Sequence, residues 1–576
     1  MTDRITVYPE GGSSILLTPA DHLATGGEGA VYLKGDTIYK VFLDPSKAMA
    51  AGMERKIPAL AAIRHPGIAT PTGLLRDKQG RLIGLTLTRA KGEALCKLFT
   101  NTWRDANQFG LLETGKVVDG MRDITSVAHG AGALLVDANE MNWLVAGTQP
   151  TVIDVDSWQL PGFPATAIMP SIRDYANNTF SEGTDWFAWG IVTFQLWTGI
   201  HPYKGTHPDF GRGALEERMR ARASVFDSRV RVPGAVRPVA DIPPKLREWY
   251  ERTFTTSERS APPTSNASSV VHQTAPKLRV RQTLSGALRI ERLGHAGEKV
   301  LAAFNGFVIA RDHGQMVLWD TTAKAPVAGV TQDELAAVLK REAAILRTSS
   351  ARVVVSLVTA SNTLVARSLE NGDLASLPSR AVRLWQSGNR VFALVEGAAN
   401  GMHELDVAEL GGRLVLTVTR QWAASVLSTQ FLRGVFVQDC MGAPFIGVLD
   451  GSGLLQGAAA ELRSYRVTEG FAVDRHNIWL TAIRKQDGES VRIALAYKAD
   501  RFVIEEVIVV AALDLDGATT STGVGVLREG DDLIVAKGQA RKRLEKAGLS
   551  DGAQLFSLGA GIGSFEDGEI VKVSFG

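Results

Sequence analysis

The stretch ALLVDANEMNWLV at 133–145, followed by TVIDVDSW at 151–158, decides the fold of the N-terminal half. Both are apolar, β-like runs interrupted by acidic or amide side chains. These side chains are Asp137, Asn142, Asp154 and Asp156. Clustered oxygen ligands of this kind suit Mg²⁺, which binds one or two carboxylates together with phosphate oxygens. Acids at strand ends are often simple turn formers, but four such groups in one block favour a site that handles phosphate.

A glycine-rich segment, LATGGEGAVYL at 23–33, precedes the strand-like TIYKVF at 37–42. The pattern predicts strand, turn, strand, turn, strand. Glycines let backbone N–H groups approach a phosphate without a Cβ in the way. The nucleotide contacts predicted from this segment are Gly26, Gly27, Gly29 and Val31. By itself the segment is also compatible with a flexible hairpin.

Lys40 lies on the third of these strands, between the apolar residues Tyr39 and Val41. A lysine that alternates into an apolar strand requires an anionic partner, unless that face of the strand is solvated. A helix-compatible segment at 46–63 follows and contains Glu54, fourteen positions after Lys40. We expect the Glu54 carboxylate to hold Lys40 in place; the alternative is an ordinary charge on a helix surface.

In this order the motifs resemble the eukaryotic-like protein kinase superfamily over residues 1–257. The resemblance is strongest to a bacterial kinase-like family whose members occur with helix-hairpin-helix modules, or with von Willebrand A proteins and PP2C phosphatases. The segments that carry the resemblance are ATGGEGAVY at 24–32, IYKVF at 38–42, DANEMN at 137–142 and TDWFAWGIVTFQLWTGIHPYKG at 184–205. His129 matches a histidine often found before the catalytic loop, and Asp185 leads the helix that begins the last segment.

The resemblance implies a bilobal α+β domain, with an N-lobe at about 1–90 and a C-lobe at about 91–257. It places a hinge at 85–90, where Leu87 and Thr88 would contact adenine. It makes Asp137, Lys40 and Glu54 the catalytic set, with Lys40 on the α- and β-phosphates and Asp137 on the acceptor hydroxyl. The implied metal ligands are Asn142 and Asp154, with Asp156 as a second carboxylate. The cofactors would be ATP and Mg²⁺.

Three departures from the kinase pattern bear on activity. Leu135 and Val136 replace the usual His-Arg pair, which removes the arginine that would read a phosphorylated activation loop. Asn139 replaces the catalytic-loop lysine. The metal-binding triplet is not the usual Asp-Phe-Gly, so either Asp154 or Asp156 could be the metal ligand. The Val-Ile pair before Asp154 matches the strand that precedes this aspartate in the family, which favours Asp154.

Three functions follow from these residues. The first is an ATP- and Mg²⁺-dependent Ser/Thr protein kinase that acts on a protein substrate, with a von Willebrand A protein and a PP2C-type phosphatase as implied partners. The second is a nucleotide-binding pseudokinase scaffold that works through protein–protein contacts. The third is a small-molecule phosphotransferase on the same fold.

Composition restricts the partners and the compartment. Basic and acidic residues nearly cancel at 63 against 61, so no nucleic-acid or membrane partner is expected. The chain has only two cysteines, Cys96 and Cys440, which indicates a reducing compartment. The N-terminus lacks a signal-peptide pattern, and the longest apolar stretch, 186–200, is too short for a bilayer. We therefore expect a cytoplasmic protein.

The C-terminal half has a different pattern of apolar and turn-forming residues. Residues 258–277, rich in Ser, Thr, Pro and Ala, are predicted to be a linker. From 278 to 576, short apolar runs alternate with Asn-Gly and Asp-Gly turn signals, which predicts an all-β domain. Its length suits a β-propeller of six or seven blades, with another β-rich fold as the alternative. Helical periodicity is present only at 331–346 and 539–546. Four scattered histidines lack metal-ligand spacing, so a recruitment or sensing role is expected.

Overall fold

The structure is a computed structural model that describes residues 4–165, 167–266, 288–397, 400–450, 453–529, 532–545, 554–566 and 569–575. The protein is multidomain. A region of sheets and helices extends to residue 266, and a large β region begins at residue 288. The predicted start of the β domain at 278 and the linker residues 267–277 lie outside the described residues.

The N-terminal region opens with a seven-stranded sheet in the order β2-β1-β6-β7-β5-β4-β3. Its pairings are antiparallel. The strands are β1 Ile5–Pro9, β2 Ile15–Leu17, β3 His22–Thr25, β4 Gly29–Lys34, β5 Thr37–Phe42, β6 Pro71–Arg76 and β7 Leu82–Thr88. The predicted order of strand, glycine-rich turn, strand, turn and strand is confirmed by β3, β4 and β5.

Two short helices, α1 Pro45–Ala50 and α2 Met53–Ala61, replace the single helix expected at 46–63. The chain breaks at Gly52, which has a left-handed φ of 73°. Helix α2 then packs Ile57 against the sheet, in a core shared with Met53 and strands β5 and β7. This packing fixes which side of α2 faces inward.

The rest of the N-terminal region is mainly helical and surrounds a long buried helix, α5. Its elements are β8 Glu93–Ala94, α3 Asn101–Ala106, α4 Leu111–Gly130, β9 Trp143–Ala146, β10 Gln149–Val152, α5 Glu182–Thr198, α6 Leu215–Ala221 and α7 Pro244–Thr255. Ser181 caps the N-terminus of α5, and Gly199 ends the helix at a φ of 83°. Between them, every side chain from Thr184 onward is buried, because α4 and α7 pack around the helix. Short strands β8, β9 and β10 form one small sheet.

The first part of the predicted linker, 258–266, has no helix or strand and contacts the helical unit through polar side chains. Arg259 forms a bidentate ion pair with Asp174 at 2.7 Å. Ser265 is buried and bonds through its backbone N–H and hydroxyl to Asp119 at 2.6 and 2.7 Å. Composition alone does not reveal these specific polar contacts.

The β region consists of antiparallel four-stranded units. The strands of the first three units, and β11, are β11 Leu288–His295, β12 Lys299–Phe304, β13 Phe307–Asp312, β14 Gln315–Asp320, β15 Ala325–Pro326, β16 Ala343–Arg347, β17 Arg352–Val358, β18 Thr363–Ser368, β19 Leu374–Pro378, β20 Ala381–Ser387, β21 Arg390–Val395, β22 Gly401–Leu410 and β23 Arg413–Trp422. The remaining strands are β24 Gln430–Phe431, β25 Val435–Cys440, β26 Ala443–Asp450, β27 Gly453–Ala458, β28 Tyr465–Ala472, β29 Asn477–Arg484, β30 Ser490–Lys498, β31 Arg501–Val509, β32 Gly517–Thr519, β33 Val524–Glu529, β34 Asp532–Lys537, β35 Ala540–Leu544, β36 Gln554–Leu558, β37 Gly561–Glu566 and β38 Glu569–Phe575.

The two ends of the β region meet in one sheet. Strand β11 pairs with the last strand, β38, and β36 and β37 complete that unit. Units β24–β27 and β28–β31 join through a single parallel bridge between Ala458 and Arg501. Each unit shares a hydrophobic cluster with the next, and the last unit shares one with the first. The described part of the β region thus comprises seven such units.

One predicted helix in the β region is confirmed only in its first part, and the other is wrong. Helix α8, Gln332–Leu339, covers the start of the predicted segment 331–346, whereas 343–346 belong to strand β16. Residues 540–544 instead form strand β35, because each of them pairs with a residue of β34, and residue 546 lies outside the described residues. In the described part of the chain, no helix combines the length and the apolarity required to span a bilayer.

Candidate functional site

Lys40 lies in the middle of the N-terminal sheet and reaches two acids that are more than a hundred residues away. In register it stands beside Val31 on β4 and Leu85 on β7. Its Nζ contacts the Asp154 carboxylate at 2.6 Å and the two oxygens of Asp156 at 2.9 and 2.7 Å. Burial alone would lower the pKa of Lys40, but the two carboxylates raise it, so Lys40 stays protonated. In the structure the anionic partners of Lys40 are therefore Asp154 and Asp156, the two acids that the resemblance assigns to the metal.

The glycine-rich turn borders Lys40. A Cβ at Gly29 would lie 3.0 Å from the Val41 carbonyl oxygen and 3.1 Å from the Lys40 Cγ, so the close approach of β4 and β5 favours glycine here. Gly27 has no atom within 4 Å of the place where its Cβ would be. The backbone of Gly26 closes the turn by donating to the Gly29 carbonyl at 2.9 Å. The turn therefore leaves open space next to the lysine strand.

Asp154 and Asp156 occupy different environments, although they are two residues apart. Asp154 has a left-handed φ of 59°, and its side chain is 37% exposed. Asp156 follows in a 3-10 turn at Val155–Ser157, and its side chain is 1% exposed. A non-glycine residue in this backbone region is strained, and such strain concentrates at functional sites. Asp154 is the acid with an accessible side chain, and Asp156 is the buried partner of Lys40.

Asp137 and Asn142 lie in the loop between α4 and β9, and that loop is joined to the Asp154 segment. The Asn142 side chain donates to the Asp137 carbonyl at 2.8 Å, and the Asn142 carbonyl accepts from Ile153 N at 2.9 Å. The backbone N–H of Met169 donates to Asp137 Oδ1 at 2.8 Å. Burial raises the pKa of Asp137, and the nearby Asp154 charge adds to that increase.

Asp185, at the start of α5, holds the Asp137 loop in place through hydrogen bonds. Its carboxylate accepts from the backbone N–H groups of Leu135 and Val136 at 2.8 and 2.9 Å. It also contacts His129 Nε2 at 2.9 Å. Val136 has a φ of 60°, which is rare for a β-branched residue, so the aspartate stabilises a strained turn just before Asp137.

The predicted contact between Glu54 and Lys40 is not formed. Glu54 is 49% exposed and pairs with Arg76 on β6 at 2.7 Å. Because Met53, Ile57 and Leu60 set the inward face of α2, Glu54 points outward and Lys56 points inward. Lys56 donates from Nζ to the Asp156 carbonyl at 2.7 Å. Glu54 therefore lies away from Lys40, and the charged residue of α2 that reaches the Asp156 turn is Lys56.

The two predicted adenine contacts differ in exposure. Leu87 is buried in the core against α2, whereas Thr88 is exposed at the end of β7. Both adenine contacts stay predictions.

Among the described residues, no group of three or more His, Cys, Asp or Glu side chains is arranged as a metal centre. A magnesium site of the phosphate-dependent kind needs fewer protein ligands, because phosphate and water oxygens complete the octahedron. The Asp154 carboxylate, accessible and next to the Asn142 loop, provides the hard oxygen donor that such a site requires. The residues present therefore fit Mg²⁺ held jointly with phosphate.

Two buried charged residues near the site, Lys56 and Glu140, were not predicted from the sequence. Glu140 lies in the Asp137 loop, is 2% exposed, and has one carboxylate oxygen without a hydrogen-bond partner. Burial raises its pKa to about 7. The helical phase of Met53, Ile57 and Leu60 could have identified Lys56, but nothing local in the sequence marks Glu140 as buried.

Comparisons with known proteins add little. No protein-family model matches the chain, and no curated protein matches it. Among solved structures, the chain is similar to a C. elegans twitchin kinase fragment, described as an autoregulated protein kinase with immunoglobulin domains. The match has 13% identity and a TM-score of 0.34, and covers 42% of this chain and 54% of that one, about half of its length.

Proposed function

We propose that the chain is an ATP- and Mg²⁺-dependent phosphotransferase, specifically a Ser/Thr protein kinase. The supporting observation is the contact between Lys40, beside the glycine-rich turn, and the acids Asp154 and Asp156. Through Asn142 and Ile153 the same segment is joined to the Asp137 loop. Residues from four separate stretches of sequence thus surround one polar site.

Each group has a role in this proposal. Lys40 binds the α- and β-phosphates, and the glycine-rich turn donates backbone N–H groups to them. Asn142 and Asp154 would hold Mg²⁺, which when bound neutralises charge on the phosphates. Asp137 orients the acceptor hydroxyl and takes its proton, a role that a raised pKa assists. Catalysis would then rest on positioning and charge neutralisation.

The finer architecture is part of the same proposal. Residues 1–257 would form a bilobal kinase-like domain, with the N-lobe at about 1–90 and the C-lobe at about 91–257. The β region would be a β-propeller, with the unit of β11 and β36–β38 closing a ring of seven blades. The pairing of β11 with β38 and the clusters shared between successive units support this.

A pseudokinase scaffold is the second candidate. Asp137 Oδ1 is already engaged by the Met169 amide, and Asn139 stands where a kinase would have a lysine. Nucleotide could then bind without transfer, and the β region would carry the function. A small-molecule acceptor is the remaining possibility for the same chemistry.

The resemblance found in the sequence also suggests where such a kinase acts. A cytoplasmic kinase of this type would phosphorylate a protein substrate. It would work with a von Willebrand A protein and a PP2C-type phosphatase, which would reverse the modification.

The test combines nucleotide binding with phosphate transfer. Thermal unfolding would be followed with ATP and Mg²⁺, and labelled ATP would report transfer to the chain itself, to a generic protein acceptor and to a metabolite panel. Wild type would be compared with Asp137→Asn and Asp154→Asn. Glu54→Gln is the matched control, because its exposed carboxylate is outside the site.

A kinase predicts protein phosphorylation that is lost in both aspartate variants and kept in Glu54→Gln. Stabilisation by Mg²⁺-ATP without transfer supports the scaffold. Transfer to a metabolite alone supports the third function. If ATP stabilises none of the proteins, the proposal of a nucleotide site fails.

A further inference from the structure

Lys56 is a buried cation at the candidate site, and its position is set by α2. The residue is 5% exposed, and its Nζ donates to the backbone carbonyl of Asp156 at 2.7 Å. Helix α2 contacts the 3-10 turn Val155–Ser157 directly. Two lysines therefore meet at Asp156: Lys40 from the sheet contacts its carboxylate, and Lys56 from the helix contacts its carbonyl.

Burying the Lys56 ammonium group costs desolvation free energy unless the charge interacts favourably with its neighbours. Burial lowers the pKa of Lys56, the Lys40 charge lowers it further, and the charges of Asp156, Glu28 and Asp154 oppose this. A leucine would fill the space at lower cost in desolvation. The charge and the hydrogen bond therefore act on the turn that carries the two acids.

We propose that Lys56 is a positioning residue that holds the Asp154–Asp156 turn in its metal-binding shape. The inference rests on the proposed function. When a nucleotide engages Lys40, that lysine can no longer hold the turn alone, and Lys56 keeps Asp154 directed at the metal. It takes the place in α2 that sequence analysis gave to Glu54, but it acts on the metal-binding acids rather than on Lys40.

The experiment measures how much Mg²⁺ is needed for ATP to stabilise the full chain. Lys56→Met removes the donor and the charge, whereas Lys56→Gln keeps a donor for the carbonyl. Lys47→Met, on the exposed side of α1, is the control. Partners that orient metal ligands affect metal affinity by about 10–100-fold. We expect the Mg²⁺ midpoint to rise about tenfold in Lys56→Met, less in Lys56→Gln, and not at all in Lys47→Met.

Several outcomes would overturn the inference. An unchanged Mg²⁺ midpoint in Lys56→Met, even with a lower Tm, would make Lys56 merely structural. If Lys56→Met does not fold, Lys56→Gln decides by the same midpoint. If wild type itself shows no stabilisation by Mg²⁺-ATP, the proposed function fails, and the inference fails with it.

A second observation concerns two turns of the β region that touch the N-terminal region on both sides of the site. The first turn joins β25 to β26. There Asp439 lies 3.8 Å from His22, and a Cβ at Gly442 would be 3.3 Å from the Thr25 hydroxyl. His22 and Thr25 belong to β3, directly before the glycine-rich turn. The β region therefore braces the phosphate-binding side of the site.

The second turn joins β29 to β30 and contacts the segment that covers Asp137. The Asp487 carbonyl accepts from Ser171 N at 3.1 Å, and Glu489 pairs with the buried Lys204 at 2.7 Å. A Cβ at Gly488 would lie 2.0 Å from the Ser171 hydroxyl and 2.7 Å from the Met169 sulfur. The fit leaves no room for a side chain.

We infer that this second turn is an autoinhibitory contact, which rests on the proposed function. The 485–489 turn packs against residues 169–171. In this position the Met169 backbone N–H donates to the carboxylate oxygen of Asp137. An acceptor hydroxyl needs the same carboxylate. Transfer would therefore require the 485–489 turn to move away, freeing Met169 from Asp137.

Gly488→Ala in the full chain would dislodge the contact. Gly372→Ala is a closely matched control, because both glycines have a φ of 74° in hairpin turns of the β region, and a Cβ at Gly372 meets nothing within 4 Å. Glu489→Gln weakens the same contact without changing a glycine. We expect faster hydrogen exchange at 167–175 and a severalfold rise in phosphate transfer in Gly488→Ala and Glu489→Gln, and neither in Gly372→Ala.

Faster exchange with unchanged or lower transfer would show that the contact positions Asp137 rather than inhibiting it, and would overturn the inference. Unchanged exchange would overturn it as well. Stabilisation by Mg²⁺-ATP, measured on the same proteins, separates this failure from the absence of a nucleotide site.

Discussion

The Lys40 ammonium contacts both carboxylate oxygens of Asp156, 116 residues later in the chain, at 2.9 and 2.7 Å. Both side chains are buried, so removal of the lysine leaves a desolvated carboxylate beside a second one at Asp154. Losing one partner of a buried pair costs about 3–5 kcal/mol. We expect Lys40→Met to lower Tm strongly.

The double variant Lys40→Met with Asp156→Asn is the control for this effect. It removes the stranded charge and should recover part of the lost Tm. If the double variant is no more stable than Lys40→Met, the unpaired Asp156 carboxylate is not the cause of the lost stability, and the prediction is wrong.

Asp185 should determine the order of the Asp137 loop. In Asp185→Asn the amide replaces one carboxylate oxygen, so one of the backbone donors, Leu135 N or Val136 N, loses its acceptor. A buried donor without a partner costs about 1–3 kcal/mol. We expect a lower Tm and faster hydrogen exchange at these two amides. Glu217→Gln, an exposed change in the first turn of helix α6, should leave both unchanged.

Glu140 should make stability fall as pH rises. Burial raises its pKa from 4.5 to about 7, so the folded chain keeps the proton while the unfolded chain releases it. The stabilisation of the folded chain by the protonated Glu140 side chain is complete below pH 4.5 and is lost as pH rises to about 7. Glu140→Gln avoids this loss. Between pH 4.5 and 7 its free energy of unfolding should therefore rise relative to that of wild type by at most about 3 kcal/mol.

The measurement is unfolding of both proteins at several pH values. Burial also raises the pKa of Asp514 to about 7, which adds a loss common to both proteins, so the quantity of interest is their difference at each pH. A difference that stays constant from pH 4.5 to 7 would contradict the prediction.

Arg259 should anchor the segment after α7. Its bidentate partner, Asp174, is buried, and its guanidinium lies 4.5 Å from the centre of the Phe187 ring. Arg259→Leu leaves the Asp174 carboxylate without its cationic partner, and we expect a loss of about 3 kcal/mol in the free energy of unfolding. Arg252→Leu is the matched change, because that arginine is exposed and its contact with Glu258 is 3.7 Å long. Equal Tm values for the two variants would contradict the assigned anchor.

Local patterns in the sequence predicted much of the fold around the site. The strands on either side of the glycine-rich turn, and the α5 helix with its Ser181 cap and terminal glycine, follow from short-range signals. Such signals could not settle the segment 539–546, which has helical periodicity, although 540–544 form β35 because β34 offers a pairing partner. Nor could they place 258–266, whose few polar contacts with α4 and Asp174 are specific rather than compositional.

The sequence by itself determined which residue types are available to the site: a lysine on an apolar strand, acids at the ends of two apolar runs, and a glycine-rich turn. Only the tertiary structure decided which charges meet. Because Gly52 restarts the helix and Met53, Ile57 and Leu60 must be buried, Lys56 turns inward and Glu54 faces solvent. The contact of Gly488 with Ser171 likewise depends on how two regions pack, and no local pattern encodes it.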